Sequence, residues 1–358
     1  MRRWIPSGAS ARRGTRSISG SPDPESEDGR VIAFLTVIAQ RLFYAAVLLL
    51  AVVVFNFILL SLVPGDIADT LAGESGGASQ EVMDDIRRTY GLDQPFHIQL
   101  ATYVGKVVQG DLGTSYYFNM PVTELILGRV APTLLLVVTA LVLAILIGTL
   151  FGVIASRRPN GLFSHFVTVL ALVGFAAPVF WTAFLLIVLF VAMLEIMPLS
   201  GLVDPTTPRG TFSWYLDVLH HLFLPVLSLS SIYLASYSRL ARASMMDVLG
   251  SDYIRTARAK GLGETSVTYK HALRNAVIPV ITIAGLQFSH IFSGAVVVET
   301  VFTWPGLGTL AFESILRGDT PTIMGILFFS AMIVIVVNLL TDLAYRLVDP
   351  RIRSARNA

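Results

Sequence analysis

The chain has no cysteine, and only three of its 26 basic residues are lysine. The first absence excludes disulfides, thiolate metal sites and a cysteine nucleophile. The second excludes a phosphate-binding loop, which needs Gly-Lys followed by Ser or Thr. Lys106 follows Gly105 but precedes Val107, and Lys260 and Lys270 precede Gly261 and His271. No His-Glu-x-x-His zinc helix and no Gly-x-Ser-x-Gly nucleophile turn occurs either. Charge is scarce: 14% of residues are Asp, Glu, Lys or Arg, against about 25% in soluble domains. The net charge is +2, so bulk charge argues for no polyanionic partner, and no nucleic acid is expected.

Apolar residues fill the space that charge leaves. They make up 54% of the 358 residues, and the mean hydropathy is +0.69. An integral membrane protein is expected. A helix needs roughly 20 apolar residues to cross a bilayer core. Six segments qualify: Leu42 to Val63, Ala131 to Ala155, Phe166 to Leu194, Leu222 to Ser238, Ala276 to Val298 and Ile326 to Tyr345. The third is long for one span and contains Pro178, which predicts a kink or a break. The fourth is rich in serine and is the weakest.

The flanks differ in kind. Residues 1–37 are dominated by Ser, Gly, Pro and charge, and such a segment cannot bury a core. They read as a disordered cytoplasmic tail. No apolar stretch of signal-peptide type follows the first arginines, so a cleaved leader is not expected. The remaining divisions are a first span with its external loop (38–130), a transmembrane core (131–350) and a short C-terminal tail (351–358).

Charge sets the orientation. The tail to Arg41, the turn at 157–158, the segment 239–274 and the C-terminus hold 20 of the 26 Lys and Arg residues. The loops on the other side hold 6. By the positive-inside rule both termini and the 239–274 segment lie in the cytoplasm, and the long loop 64–130 lies outside.

Small residues recur every fourth position in two spans: Ala144, Gly148 and Gly152, and Gly285, Ser289 and Ser293. Such stripes let membrane helices approach closely. Gln287 and His290 flank the second stripe. Polar groups at membrane depth turn toward protein or a water-filled path, so these two either line a substrate route or bond a neighbouring helix. Asn338 and Asp342 read as an interhelix contact or a cap. His220-His221 reads as an interfacial polar pair, since a metal needs more ligands.

One stretch breaks the apolar pattern: "SDYIRTARAKGLGETSVTYKHALRNAVIP", Ser251 to Pro279. Ser251 and Asp252 can cap a short helix reaching Ala259. Gly261 can stop it and turn the chain. Glu264 opens a second helical run into the fifth span. From Ser251 to Asn275 there are five basic and two acidic residues. That charge suits either anionic lipid or a partner subunit on the cytoplasmic side.

"RTARAKGL" followed by "HALRNAVIPVIT" resembles the signature of permease subunits in the dipeptide/oligopeptide/nickel family of ABC importers. "YGLDQPFHIQLATYVGKVVQGDLGTSY", "PVTELILGRVAPTLLL", "VVVETVFTWPGLGTL" and "DTPTIMG" are similar to further segments of that family, in order, over about residues 38 to 353. The long loop after the first span is like that of the B-type permease. The extension before residue 38 is not part of the pattern.

The resemblance implies an all-α protein of six transmembrane helices with the type I ABC importer permease fold. It implies a multi-pass subunit of a bacterial inner or plasma membrane, paired with a second related permease. Two cytoplasmic ATPases would bind ATP and magnesium, and an external binding protein would deliver peptides or related small solutes. The chain itself would bind no cofactor and would be no enzyme. The segment 247–275 would be the coupling loop, with Asp252, Tyr253, Arg255, Thr256, Ala257, Arg258, Ala259, Lys260, Gly261 and Leu262 facing an ATPase. Gly261 matches the glycine of the family motif, whereas Arg255-Thr256-Ala257 stands where the general motif has Glu-Ala-Ala.

Two further readings concern the opposite side. Asp84, Asp85, Asp93, Asp111, Tyr90, Phe96, Tyr116 and Tyr117 either meet a binding protein or pack the external loop on itself. Phe302 to Gly308 has Pro and Gly where a membrane-depth helix would break. It reads as a re-entrant or interfacial turn near a gate, with Trp304 as an interface anchor. Gln287, His290, Glu299, Pro305, Gly306 and Gly308 are the candidate pathway residues. The competing classes are a stand-alone channel or secondary carrier, and a membrane scaffold. Carriers of the first kind usually carry several buried carboxylates and inverted repeats, which are lacking here.

Overall fold

The computed structural model describes residues 27–62, 84, 88, 93–115 and 117–348. The chain divides into two units, Met1–Val47 and Leu48–Ala358. In the first, the described residues are helical, and Leu42, Phe43, Tyr44 and Val47 expose their side chains. They belong to helix α1 (Glu27–Ser61). The end of the segment expected to be tail is therefore helical, because an apolar run from Val31 leads directly into the span. Residues 1–26 lie outside the described residues.

The described part of the second unit is almost wholly helical, because runs of Leu, Val, Ile and Ala carry few polar groups that compete with the backbone. Its elements are the rest of α1, then α2 (Phe96–Val108), a two-stranded hairpin of β1 (Thr114–Ser115) and β2 (Met120–Pro121), and α3 (Val122–Arg157). Next come α4 (Leu162–Ala176), α5 (Val179–Leu186) with a π-helical continuation Ile187–Met193, and α6 (Phe212–Leu249). The short helices α7 (Asp252–Ala259) and α8 (Glu264–Ser266) follow. A π-helical turn, Val267–Ala272, leads into α9 (Leu273–Val301), and α10 (Leu307–Arg317) and α11 (Thr320–Val348) end the described chain. The strands pair antiparallel, Thr114 opposite Pro121 and Ser115 opposite Met120.

Among the described residues, four helices are long and apolar enough to cross a membrane: Ile38–Leu59, Val122–Arg157, Phe212–Leu249 and Thr320–Thr341. Two bent pairs raise the number to six if each pair is one span. One pair is α4 and α5, which meet at 110°. The break falls at Ala177-Pro178, as Pro178 predicts, since proline disfavours a helical residue before it. The other pair is Glu264–Gly285 and His290–Val301, bent by 64°. The fourth expected span proves much longer than Leu222 to Ser238. It extends to Leu249, because "SRLARASMMDVL" keeps helix-forming residues after the apolar run ends.

The core of the second unit is the contact between α3 and α6. A β-carbon on Gly148 would stand 2.8 Å from the Tyr237 Cβ, and one on Gly152 would stand 2.6 Å from the Ser238 carbonyl oxygen. Only a hydrogen fits, so the first small-residue stripe packs as expected. Ala144 completes it, buried with Tyr237, Ala241 and Val280. The second stripe behaves otherwise. Ser293 is exposed and Gly285 half-buried, and the side chain of Ser289 is outside the described residues. On that helix it is Gly294 that faces α6, with Leu229 nearest.

Candidate functional site

The two ends of the helical bundle carry the two candidate sites. At one end lie α7 and the turn 157–161. At the other lie the hairpin and the turn that joins α9 to α10.

Helix α7 is amphipathic. Ile254 and Ala257 are buried, in one cluster with Val153 of α3, Met245 of α6, Val267 and Ala272 of the π-turn, and Ala276 of α9. Positions 254 and 257 share a helix face, so one short helix reaches three long ones. Asp252, Tyr253, Arg255, Thr256, Arg258 and Ala259 are exposed, as are Lys260, Gly261 and Leu262 beyond the helix end. Ser251 takes the N-cap position with extended backbone, but its side chain makes no cap hydrogen bond. Its hydroxyl donates instead to the Val248 carbonyl at 2.5 Å.

The helix closes as Gly261 predicts. Its φ is +75°, the left-handed region that glycine enters without cost. The Gly261 N–H donates to the Arg258 carbonyl at 2.9 Å, and the Leu262 N–H to the Ala257 carbonyl at 3.4 Å. Arg258 then grips Glu264 with two bonds, Nε to Oε1 at 2.8 Å and a guanidinium nitrogen to Oε2 at 3.3 Å. That bond holds the Glu264 carboxyl below its usual range. The Asn275 amide donates to the Tyr253 hydroxyl at 2.8 Å. The loop is thus a fixed bracket whose outer face is free among the described residues.

At the other end, Glu299 is fully buried near the end of α9. Its carboxylate accepts from the Thr133 hydroxyl at 2.6 Å and from the backbone N–H groups of Gly308 (2.6 Å) and Thr309 (3.4 Å). The last two are first-turn amides of α10, so the acid caps that helix and meets its dipole. Thr133 is shared: its hydroxyl also accepts from the Leu307 N–H at 2.8 Å. Trp304 is buried, with its indole N–H donating to the Pro132 carbonyl at 3.0 Å. It is therefore no interface anchor. Thr303, at φ +49°, turns the chain between the two helices.

Gly306 and Gly308 are required by close approach. A β-carbon on Gly306 would collide with the Glu299 carboxylate, and one on Gly308 would stand 2.5 Å from the Val296 Cα. Pro305 is half-buried beside them. The six candidate pathway residues do not form one group. Glu299, Pro305, Gly306 and Gly308 meet in this clamp, whereas Gln287 (half-buried) and His290 (exposed) lie at the bend of α9.

The nearby hairpin is tied to the start of α11. Asp319, buried, accepts from the Ser115 hydroxyl at 2.5 Å and from the Thr322 hydroxyl at 2.7 Å. The Arg317 guanidinium lies over the Tyr117 ring at 4.6 Å. Thr133, Ser115 and Asp319 were not singled out in the sequence. The signal for Thr133 was its place after Pro132 in an apolar run, where a hydroxyl is conspicuous. Of the acids in the long loop, Asp111 accepts from the Gly113 N–H at 2.8 Å, and Asp93 is exposed. Asp85, Tyr90 and Tyr116 lie outside the described residues. His220 bonds the Ile196 carbonyl and His221 the Asp217 carbonyl. No metal-binding cluster occurs among the described residues.

Four to six helices of membrane length, an exposed bracket at one end and a buried clamp at the other are compatible with a transport permease of the type I ABC importer fold, the class that the family match gives. The chain belongs to the family of binding-protein-dependent transport system inner membrane components, whose profile matches residues 148–354. The profile of the N-terminal part of such components matches residues 34–138. The chain is 39% identical to the oligopeptide transport system permease protein AppB of Bacillus subtilis, over 88% of this chain and 98% of that protein. It is 37% identical to the dipeptide transport system permease protein DppB of Alkalihalophilus pseudofirmus, over 88% and 98%. To the Escherichia coli dipeptide transport system permease protein DppB it is 38% identical, over 89% and 99%.

Proposed function

We propose that the chain is one permease subunit of an ATP-driven importer of peptides or related small solutes. It pairs with a second, related permease in a bacterial inner or plasma membrane, with both termini in the cytoplasm. Two ATPase subunits, which bind ATP and magnesium, dock on the cytoplasmic side. A substrate-binding protein delivers solute on the other. The chain does no covalent chemistry and binds no cofactor of its own.

The observation that carries this reading is α7. Its apolar face is fixed to three long helices through Ile254 and Ala257, and its polar face looks outward. A push on that face moves α3, α6 and α9 together. Helix α9 is the lever. Its first turn reaches the coupling cluster at Ala276, and near its other end Glu299 holds the turn 302–308 against Thr133 of α3. Gln287 and His290 sit at its bend, where a change of angle would expose or cover polar groups. A channel or a carrier without an ATPase has no use for such a bracket.

The test is capture and transport. The tagged full-length chain, drawn from its native membrane in mild detergent, should bring a related permease and one or two P-loop ATPases, identified by mass spectrometry. Proteoliposomes holding that complex should take up peptide only with ATP and the binding protein. Uptake by the chain alone, driven by an ion gradient, would establish the carrier reading instead.

A further inference from the structure

The turn between α3 and α4 borders a cleft of about 960 Å³, which Arg258 and Glu264 also line. Three observations there point to an anion. First, Arg157 and Arg158 line the cleft and are exposed. They make no ion pair within 4 Å among the described residues; Glu264, held by Arg258, faces Arg157 only at longer range. The carbonyl of Pro159 is already engaged by Arg242, which fixes the turn. Second, α4 begins in the cleft without a side-chain cap, because Gly161 has none to offer. The first amides of the helix therefore lack intrahelical acceptors, and such an end attracts phosphate. Third, Ser164 in that first turn is 1% exposed, and its hydroxyl has no hydrogen-bond partner. A buried hydroxyl without a partner is costly.

Apolar surface adjoins the charge. Leu162 is 93% exposed, and Phe163 and Phe166 present their rings on the same helix. Cations beside exposed hydrocarbon at the end of a membrane span match an amphiphile better than a soluble protein surface. We propose that this cleft binds the phosphate group of an anionic phospholipid, with Arg157, Arg158, the first amides of α4 and the Ser164 hydroxyl as its donors. The acyl chains lie along Leu162 and Phe166. The bound headgroup braces the turn that adjoins the coupling bracket through Arg258 and Glu264. The proposal requires only that this end of the bundle lies at a membrane surface, not the transport reading.

Native mass spectrometry of the detergent-purified full-length chain provides the test, with phosphatidylglycerol as the probe and phosphatidylcholine as its control. The double variant Arg157→Gln/Arg158→Gln should weaken phosphatidylglycerol retention roughly tenfold or more, the scale of two cations near an anionic lipid surface. Ser164→Ala should weaken it less. Lys270→Gln/Arg274→Gln, which removes two exposed cations at the same end, should leave it unchanged. Melting in phosphatidylcholine reports folding of every variant. Equal loss from the two double variants would reduce the site to general surface charge and overturn the proposal. Inorganic phosphate that binds as tightly as the lipid, and displaces it, would make this a free-phosphate site. Expulsion of the lipid when the ATPases assemble would make it an ATPase surface.

Discussion

The Glu299 carboxylate accepts a hydrogen bond from the Gly308 backbone N–H at 2.6 Å, across the turn that separates α9 from α10. The same carboxylate holds Thr133 of α3. One side chain thus joins three helices, and its removal would leave several donors buried and unpaired.

That predicts a graded response. Glu299→Ala strands the Gly308 N–H and the Thr133 hydroxyl, at about 1–3 kcal/mol for each buried donor. Its melting temperature in detergent should fall well below that of the parent. Glu299→Gln keeps one acceptor for the α10 amides and should fall less. Thr133→Val, which releases Leu307 as well, should resemble the alanine variant. Equal melting of all three and the parent would remove the clamp from the account.

Glycines at the two sites should respond differently. At Gly261 nothing lies within 4 Å of an added β-carbon, so Gly261→Ala costs only the left-handed backbone, about 1–2 kcal/mol. It should insert and melt close to the parent. At Gly308 the added carbon meets the Val296 backbone at 2.5 Å, and backbone cannot step aside. Gly308→Ala should lower the yield of folded protein sharply, as judged by size-exclusion profile. Comparable profiles for the two variants would contradict the close approach.

The Arg258–Glu264 bond makes the bracket acid-sensitive. The Glu264 carboxyl is held below its usual range by Arg258. A depressed carboxylate adds stability that is present above its unfolded pKa and lost as pH falls through the lower, folded one. Hydrogen exchange at residues 260–266, corrected for intrinsic rate, should therefore stay slow at neutral pH and rise only in acid below the ordinary glutamate range. Arg258→Gln should show the faster exchange already at neutral pH. The bond is exposed, so salt should weaken it too.

The features that proved legible were local ones. Pro178 marked the break between α4 and α5, Gly261 the end of α7, and the Ala144–Gly148–Gly152 stripe a close helix approach, though not α6 as its partner. Each acts through its own backbone or its immediate face, so a single chain position reveals it. The clamp was legible only on one side. "ETVFTWPGLG" displays the acid and the glycines, but their partner Thr133 lies 166 positions earlier, and no local period connects them. Trp304 misled for the same reason: an indole near a span end resembles an interface residue until its partner, the Pro132 carbonyl, is seen. The length of α6 was hidden because helix continues where hydropathy stops.

Orientation has a direct check, made clean by the absence of native cysteine. Thr207→Cys, in the segment between the π-helical continuation of α5 (Ile187–Met193) and α6, should react with an impermeant maleimide added outside intact cells or spheroplasts. Ala355→Cys should react only after lysis. Labelling of position 355 before lysis would reverse the assignment drawn from the arginines.

The account turns on α7 as the contact with an ATPase. Thr256 is exposed on its outward face, and a single cysteine there reports what that face touches. Thr256→Cys in the assembled complex, treated with a short bifunctional maleimide, should cross-link to a P-loop ATPase subunit carrying a cysteine in its docking groove, and ATP should change the yield. A position on the opposite end, Thr207→Cys, should give no such product. Absence of the Thr256→Cys cross-link in a complex that retains its ATPases and its uptake would show that coupling runs through another surface.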